Sequence, residues 1–115
     1  MRKNVKIFLE HILAAINLIE EYINDKKKSD FLESKQLQDS VIRRIEIIGE
    51  AIKNIPSDFK GTHENIPWKE IIGMRDILIH QYFGVDLELT WEVIKTDLPI
   101  LKKQIILISN DLPKF

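Results

Sequence analysis

Residues 67–84 read PWKEIIGMRDILIHQYFG, and the fold and the site both turn on how this stretch is interpreted. Between Arg75 and Tyr82 an otherwise Ile- and Leu-rich segment carries Arg75, Asp76, His80 and Tyr82. A helix facing a core places Leu, Ile or Ala at such positions, because a buried charge without a partner is strongly unfavourable. At about 100° per residue, Asp76 and His80 share one helical face about 40° apart, close enough for the carboxylate to orient or charge the imidazole. Arg75 and Tyr82 are about 20° apart in azimuth but roughly 10 Å apart along the axis, so they line a stripe rather than touch. Arg75 and His80 differ by about 140°, so one straight helix does not aim both at the same atom. Two resolutions are open: the helix ends near His80 and Gln81, freeing the imidazole to turn, or a second copy of the chain completes the site. Gly84 as a terminating residue suits both.

Working outward, Pro67 suits the first turn of this helix, with Trp68, Ile71, Ile72, Ile77 and Leu78 as its buried anchors. Upstream, Ser57 to Ile66 reads as a polar loop, and His63 within it as exposed and incidental, like His11 near the N-terminus. Before that loop, Val41, Ile45, Ile48, Ala51 or Ile52, and Ile55 recur at three and four, a helical face that Pro56 stops and that Ser29 caps, with Asp30 and Glu33 in its first turn. Gly49 interrupts that face at a cost of ~1 kcal/mol relative to Ala, which points to another helix crossing closely there. The first helix carries Val5, Phe8, Ile12, Ala15, Ile19 and Tyr22, widened by Leu9, Ile16 and Ile23, more apolar surface than one neighbour demands. It ends within Asn24 to Lys28, where lysines complement the helix dipole. Downstream, Asp86 caps a short helix carrying Leu87, Leu89, Trp91 and Ile94. Pro99 then forces a kink or a new helix capped by Thr96 or Asp97, and Leu98, Leu101, Ile105, Ile108 and Leu112 continue at heptad-like spacing. The expected architecture is all-α, an up-and-down four-helix bundle with the last helix broken near Pro99, in a single domain over 1–115.

Composition narrows the function. The 115 residues are 44% apolar, with four Gly, four Pro and no Cys, which excludes disulfides, thiolate zinc sites and cysteine nucleophiles. No apolar run reaches the ~18 residues of a membrane span, and the N-terminus lacks the pattern of a signal peptide, so the chain reads as cytoplasmic. Seventeen Lys+Arg against eighteen Asp+Glu leave a charge of −1, so any RNA contact is local rather than a broad basic surface. Lys26-Lys27-Lys28, Arg43-Arg44 and Lys102-Lys103 read as solvated surface. A carboxylate-bridged di-metal bundle would need Glu-x-x-His pairs. The residues three before His11, His63 and His80 are Phe8, Lys60 and Ile77, so no metal site is expected.

The pattern Arg75, four residues, His80, one residue, Tyr82 resembles the signature of the HEPN superfamily, and with its tyrosine it is similar to the HepT toxins. The flanks RRIEIIGEAIKNIP (43–56) and VDLELTWEVIKTDLPILKKQI (85–105) resemble the second and last helices of that family, so the resemblance spans nearly the whole chain. It implies a helical bundle that forms a homodimer and brings two copies of the motif to a shared cleft. It also implies a metal-independent ribonuclease of a type VII toxin-antitoxin pair, with Arg75 and His80 catalytic and Asp76 supporting. The partner would be an MNT-type nucleotidyltransferase antitoxin that transfers AMP to Tyr82.

The chemistry is consistent with this. RNA carries its own nucleophile in the 2′-hydroxyl, so cleavage needs a general base or acid, a role for His80, and a cation for the charge on phosphate, a role for Arg75. Asp76 would fix the imidazole tautomer and raise its pKa. An AMP on Tyr82 would add bulk and negative charge where RNA phosphate binds. Other readings of the same residues are a surface ion pair at Arg75 and Asp76, a dipole-stabilising cap at His80 and a core aromatic at Tyr82. At the level of the whole chain, the alternatives are a non-catalytic helical module binding a nucleotide or a partner protein, and a dimerisation partner that holds a nucleotidyltransferase.

Overall fold

The computed structural model describes residues 2–80 and 84–112; Tyr82 lies outside them, as does the side chain of His80. Eight helical segments and one π-helical turn follow in chain order: α1 (Arg2–Ile23), α2 (Lys28–Glu33), α3 (Lys35–Lys53), α4 (Ser57–Gly61), α5 (Trp68–Ile72), α6 (Met74–Leu78), α7 (Leu87–Glu92), the π turn Val93–Asp97, and α8 (Leu98–Asp111). Between α6 and α7 two short strands, β1 (Ile79–His80) and β2 (Gly84–Val85), pair antiparallel with Ile79 opposite Val85 and His80 opposite Gly84. Apart from this pair the described residues are all-α.

The core is built where the period of three and four leads it. Leu9, Ile12, Ile16 and Ile19 of α1 meet Val41, Ile45, Ile48 and Ile52 of α3 and Leu98, Leu101, Ile105 and Ile108 of α8, all buried. α1 lies along both α3 and α8, which accounts for its wide apolar face. It ends at Ile23, and Asp25 takes the left-handed conformation, φ 62°, that turns the chain toward α2. Asp tolerates that region better than most residues.

The second long helix begins later than Ser29. Asp30 caps α2 by accepting the Lys27 N–H at 2.8 Å, and Ser34 caps α3 by accepting the Leu37 N–H at 3.1 Å. The Gln38 amide donates to the Phe31 and Leu32 carbonyls, 2.9 and 3.2 Å away, which satisfies the C-terminal end of α2. Phe31 is fully buried and its ring meets Trp91 of α7 with centroids 5.6 Å apart, so α2 serves as a separate brace folded onto α7.

Gly49 lies under the crossing that its sequence position suggests. A Cβ built there would sit 3.7 Å from the Ile72 carbonyl oxygen at the end of α5, an ordinary contact. The expected loop 57–66 contains α4, and His63 is half-buried: its Nδ1 is 3.0 Å from the Phe59 carbonyl and from Thr62 Oγ1, and its ring stacks on Phe59. Trp68 donates its indole N–H to the Lys60 and His63 carbonyls, closing the end of that turn.

Around Pro99 the last helix is broken as expected: a new helix, α8, starts at Leu98 with Asp97 at its N-cap position. Pro99 follows Leu98 at the start of α8, and the preceding Val93–Asp97 widens into a π turn. The reason is local: Pro99 has no N–H for the carbonyl four residues earlier and its ring would strike it, so the preceding turn opens. Neither Asp97 nor Thr96 caps through its side chain. Asp86 does cap α7, accepting the Leu89 N–H at 3.1 Å, and the buried Thr90 hydroxyl donates to the Asp86 carbonyl at 2.7 Å. No helix among the described residues is long and apolar enough to cross a membrane.

Candidate functional site

The segment 67–84 is not one helix. Gly73 separates α5 from α6, and α6 stops at Leu78, two residues before His80. The Leu78 carbonyl, which a longer helix would give to residue 82, instead accepts the Asp86 N–H at 2.7 Å. Ile79 is extended, φ −106° and ψ 116°, and leads into β1. The helical spacing that would put Asp76 and His80 on one face therefore does not apply. Of the two resolutions of the azimuth conflict, the early helix end is realised. The reversal uses Gly84 at φ +81°, a conformation that L side chains avoid.

Arg75 stands on α6 with its side chain half exposed at 49%. Its Nε donates to Oε2 of Glu46 on α3 at 2.5 Å, and its Nη1 lies 3.5 Å from Oδ1 of Asp76. Glu46 is more enclosed, 25% exposed, and its Oε1 is 3.7 Å from Nη1 of Arg43, which also reaches Glu50 at 3.8 Å. Hydrogen bonding to Glu46, followed by that residue's charge, raises the Arg75 guanidinium pKa above its ordinary value, so the cation is secured. Asp76 is largely exposed and meets Arg75.

Glu46 was not among the residues that the motif singles out. Its signal lies in the spacing: it precedes Gly49 by three residues and so shares the face of α3 that α5 and α6 cross, where a carboxylate meets whatever cation the crossing element brings.

The opposite side of α6 borders an apolar groove of about 550 Å³, walled by Met74, Ile77, Leu89, Val93, Ile100 and Leu101 among others. Ile77, expected as a buried anchor, is 57% exposed on its rim, and Ile100 is 55% exposed. On a helix Ile77 lies about 200° around from Arg75, so α6 turns its cation to one side and its apolar edge to the other. Among the described residues no three His, Asp or Glu side chains gather where they could hold a metal ion.

Comparison with known proteins places the chain in a family. A family model described as Ribonuclease HepT-like matches residues 12–108. A Methanocaldococcus jannaschii protein named as a gamma-glutamylcyclotransferase and, provisionally, an RNase is 63% identical over 114 residues, 99% of this chain and 51% of that relative. The chain thus spans about half the length of that protein. A Thermococcus cleftensis protein provisionally named ribonuclease HepT is 53% identical over 102 residues, covering 89% of this chain and 93% of the relative. A second M. jannaschii protein, provisionally named an RNase, is 42% identical over 107 residues, covering 93% and 98%. No solved structure gives a significant match.

Proposed function

Because the chain belongs to the ribonuclease HepT-like family, an endoribonuclease family, we propose that it is the toxin of a toxin-antitoxin pair and cuts RNA without a metal ion through Arg75 and His80. The observation that carries this reading is Arg75: a half-exposed guanidinium, fixed by a carboxylate of a neighbouring helix, five residues before His80 and beside the chain reversal that bears it. In the reaction the 2′-hydroxyl attacks the adjacent phosphorus, the bond to the 5′-oxygen of the next nucleotide breaks, and a 2′,3′-cyclic phosphate forms. One His80 takes the proton of the 2′-hydroxyl and another returns one to the leaving oxygen, while Arg75 offsets the charge gathering on the phosphate. Asp76, beside the guanidinium, adds a second carboxylate to its surroundings.

Two imidazoles call for two copies of the chain, and the groove along α6 is the face we assign to the homodimer; Arg75 stands on the other side of that short helix, at the margin of such an interface. Exposed Ile77 and Ile100 on its rim favour burial against a second copy, whose matching residues present the same chemistry. In the cytoplasm a nucleotidyltransferase antitoxin would silence the enzyme: the Tyr82 hydroxyl attacks the α-phosphorus of ATP, pyrophosphate leaves, the phenolic proton is lost, and an AMP phosphodiester remains on Tyr82. The added negative charge then competes with RNA phosphate.

The test is to measure RNA cleavage and intact mass of the protein before and after incubation with the nucleotidyltransferase and ATP. Cleavage that disappears as the mass rises by whole AMP units located on Tyr82 supports the reading. A protein that leaves RNA intact in both states is a binding module instead.

A further inference from the structure

Arg75 alone is poorly suited to its role. A half-exposed arginine samples many rotamers, and a cation that must first find its orientation contributes little to a transition state. The ribonucleotide phosphate needs a guanidinium already aimed. Resting on the ribonuclease reading above, we propose that Glu46 is a positioning residue that holds the Arg75 guanidinium in the orientation in which it meets the scissile phosphate.

Three observations support it. Glu46 sits on α3, the helix most firmly packed against α1, whereas Arg75 rides on the five-residue α6. The longer, more extensively packed element therefore fixes the shorter one. The bond is made at Nε, 2.5 Å from Oε2, which leaves the outer end of the fork to meet a phosphate, with Nη1 only loosely engaged, 3.5 Å from Oδ1 of the largely exposed Asp76. Glu46 is itself held: Arg43 reaches its other oxygen, Oε1, at 3.7 Å, and the carboxylate is three-quarters enclosed. Both oxygens thus have a cationic partner, one on its own helix and one across the crossing.

The opposite role is also conceivable from the charges alone. Glu46, Glu50 and Asp76 set three carboxylates among Arg43 and Arg75, and a carboxylate on Arg75 competes with phosphate for it. Positioning and masking differ in sign, so kinetics separates them.

The experiment compares wild type, Glu46→Ala and Glu46→Gln on a single-stranded oligoribonucleotide, with kcat and KM resolved, and follows the Arg75 Nε–H signal by NMR in each protein without RNA. Positioning predicts that Glu46→Ala lowers kcat by about tenfold to a hundredfold with KM changed little. Glu46→Gln, which keeps an acceptor oxygen, stays within about threefold of wild type. The Arg75 Nε–H is protected from exchange in wild type and Glu46→Gln and unprotected in Glu46→Ala. An unchanged or raised kcat in Glu46→Ala overturns the proposal in favour of masking. An Nε–H that already exchanges freely in wild type overturns it whatever the kinetics. A wild-type protein that does not cleave RNA while its Nε–H is protected instead sinks the ribonuclease reading on which the role rests.

Discussion

Arg75 and Glu46, 29 residues apart in sequence, meet at 2.5 Å and tie the five-residue α6 to the long α3. The bond is made by the guanidinium Nε, which has no counterpart in the lysine side chain. Arg75→Lys therefore keeps the charge and loses both the Nε donor and the planar fork. We expect kcat for RNA cleavage to fall about a hundredfold, with the thermal midpoint nearly unchanged because Arg75 is half exposed to solvent. Paired kinetics and calorimetry check both halves.

Gly84→Ala isolates the chain reversal behind the site. Among the described residues a Cβ at Gly84 meets nothing within 4 Å, so the expected effect is the backbone cost of φ +81°. Destabilisation of ~1–2 kcal/mol is expected from a denaturant titration. Because β1 bears His80, activity should fall further than the loss of folded protein accounts for.

Gly49→Ala goes the other way. The glycine looks like a requirement of the helix crossing, yet the new methyl would make only a 3.7 Å contact with the Ile72 carbonyl. Removing a mid-helix glycine should raise stability by ~0.5–1 kcal/mol. A loss in the same titration would mean that α5 approaches more closely than this.

Ile77→Asp tests the groove. The side chain is 57% exposed, so a monomer tolerates the charge, whereas an apolar interface between copies does not. Wild type should sediment as a dimer and the variant as a monomer with much reduced cleavage. A variant that remains dimeric would move the interface elsewhere.

Much of the bundle was legible because the core-facing residues of α1, α3 and α8 obey a single period. Ile12, Ile45 and Ile105 are buried where the spacing of three and four puts them. The breaks were less legible, since each is decided by a distant partner. α6 ends at Leu78 because Asp86 takes its carbonyl, and α2 separates from α3 because Ser34 caps the latter while Gln38 satisfies the former. Pro99 announced a disturbance, but whether it becomes a cap or a π turn depends on packing of the turn before it. Apolar periodicity cannot tell a core from a groove, which is why Ile77 read as an anchor. In the site, Arg75 and Asp76 were visible from the motif. Glu46 was hidden because its partner lies on another helix.

The most direct measurement is the rate at which wild type, Arg75→Ala and His80→Ala cut a single-stranded oligoribonucleotide in EDTA, with the same sequence in DNA as control. The account predicts that wild type cuts the RNA and leaves a 2′,3′-cyclic phosphate, that the DNA is untouched, and that either substitution lowers the rate by at least about a hundredfold. Equal cleavage by wild type and Arg75→Ala, or cleavage that stops in EDTA, would contradict it.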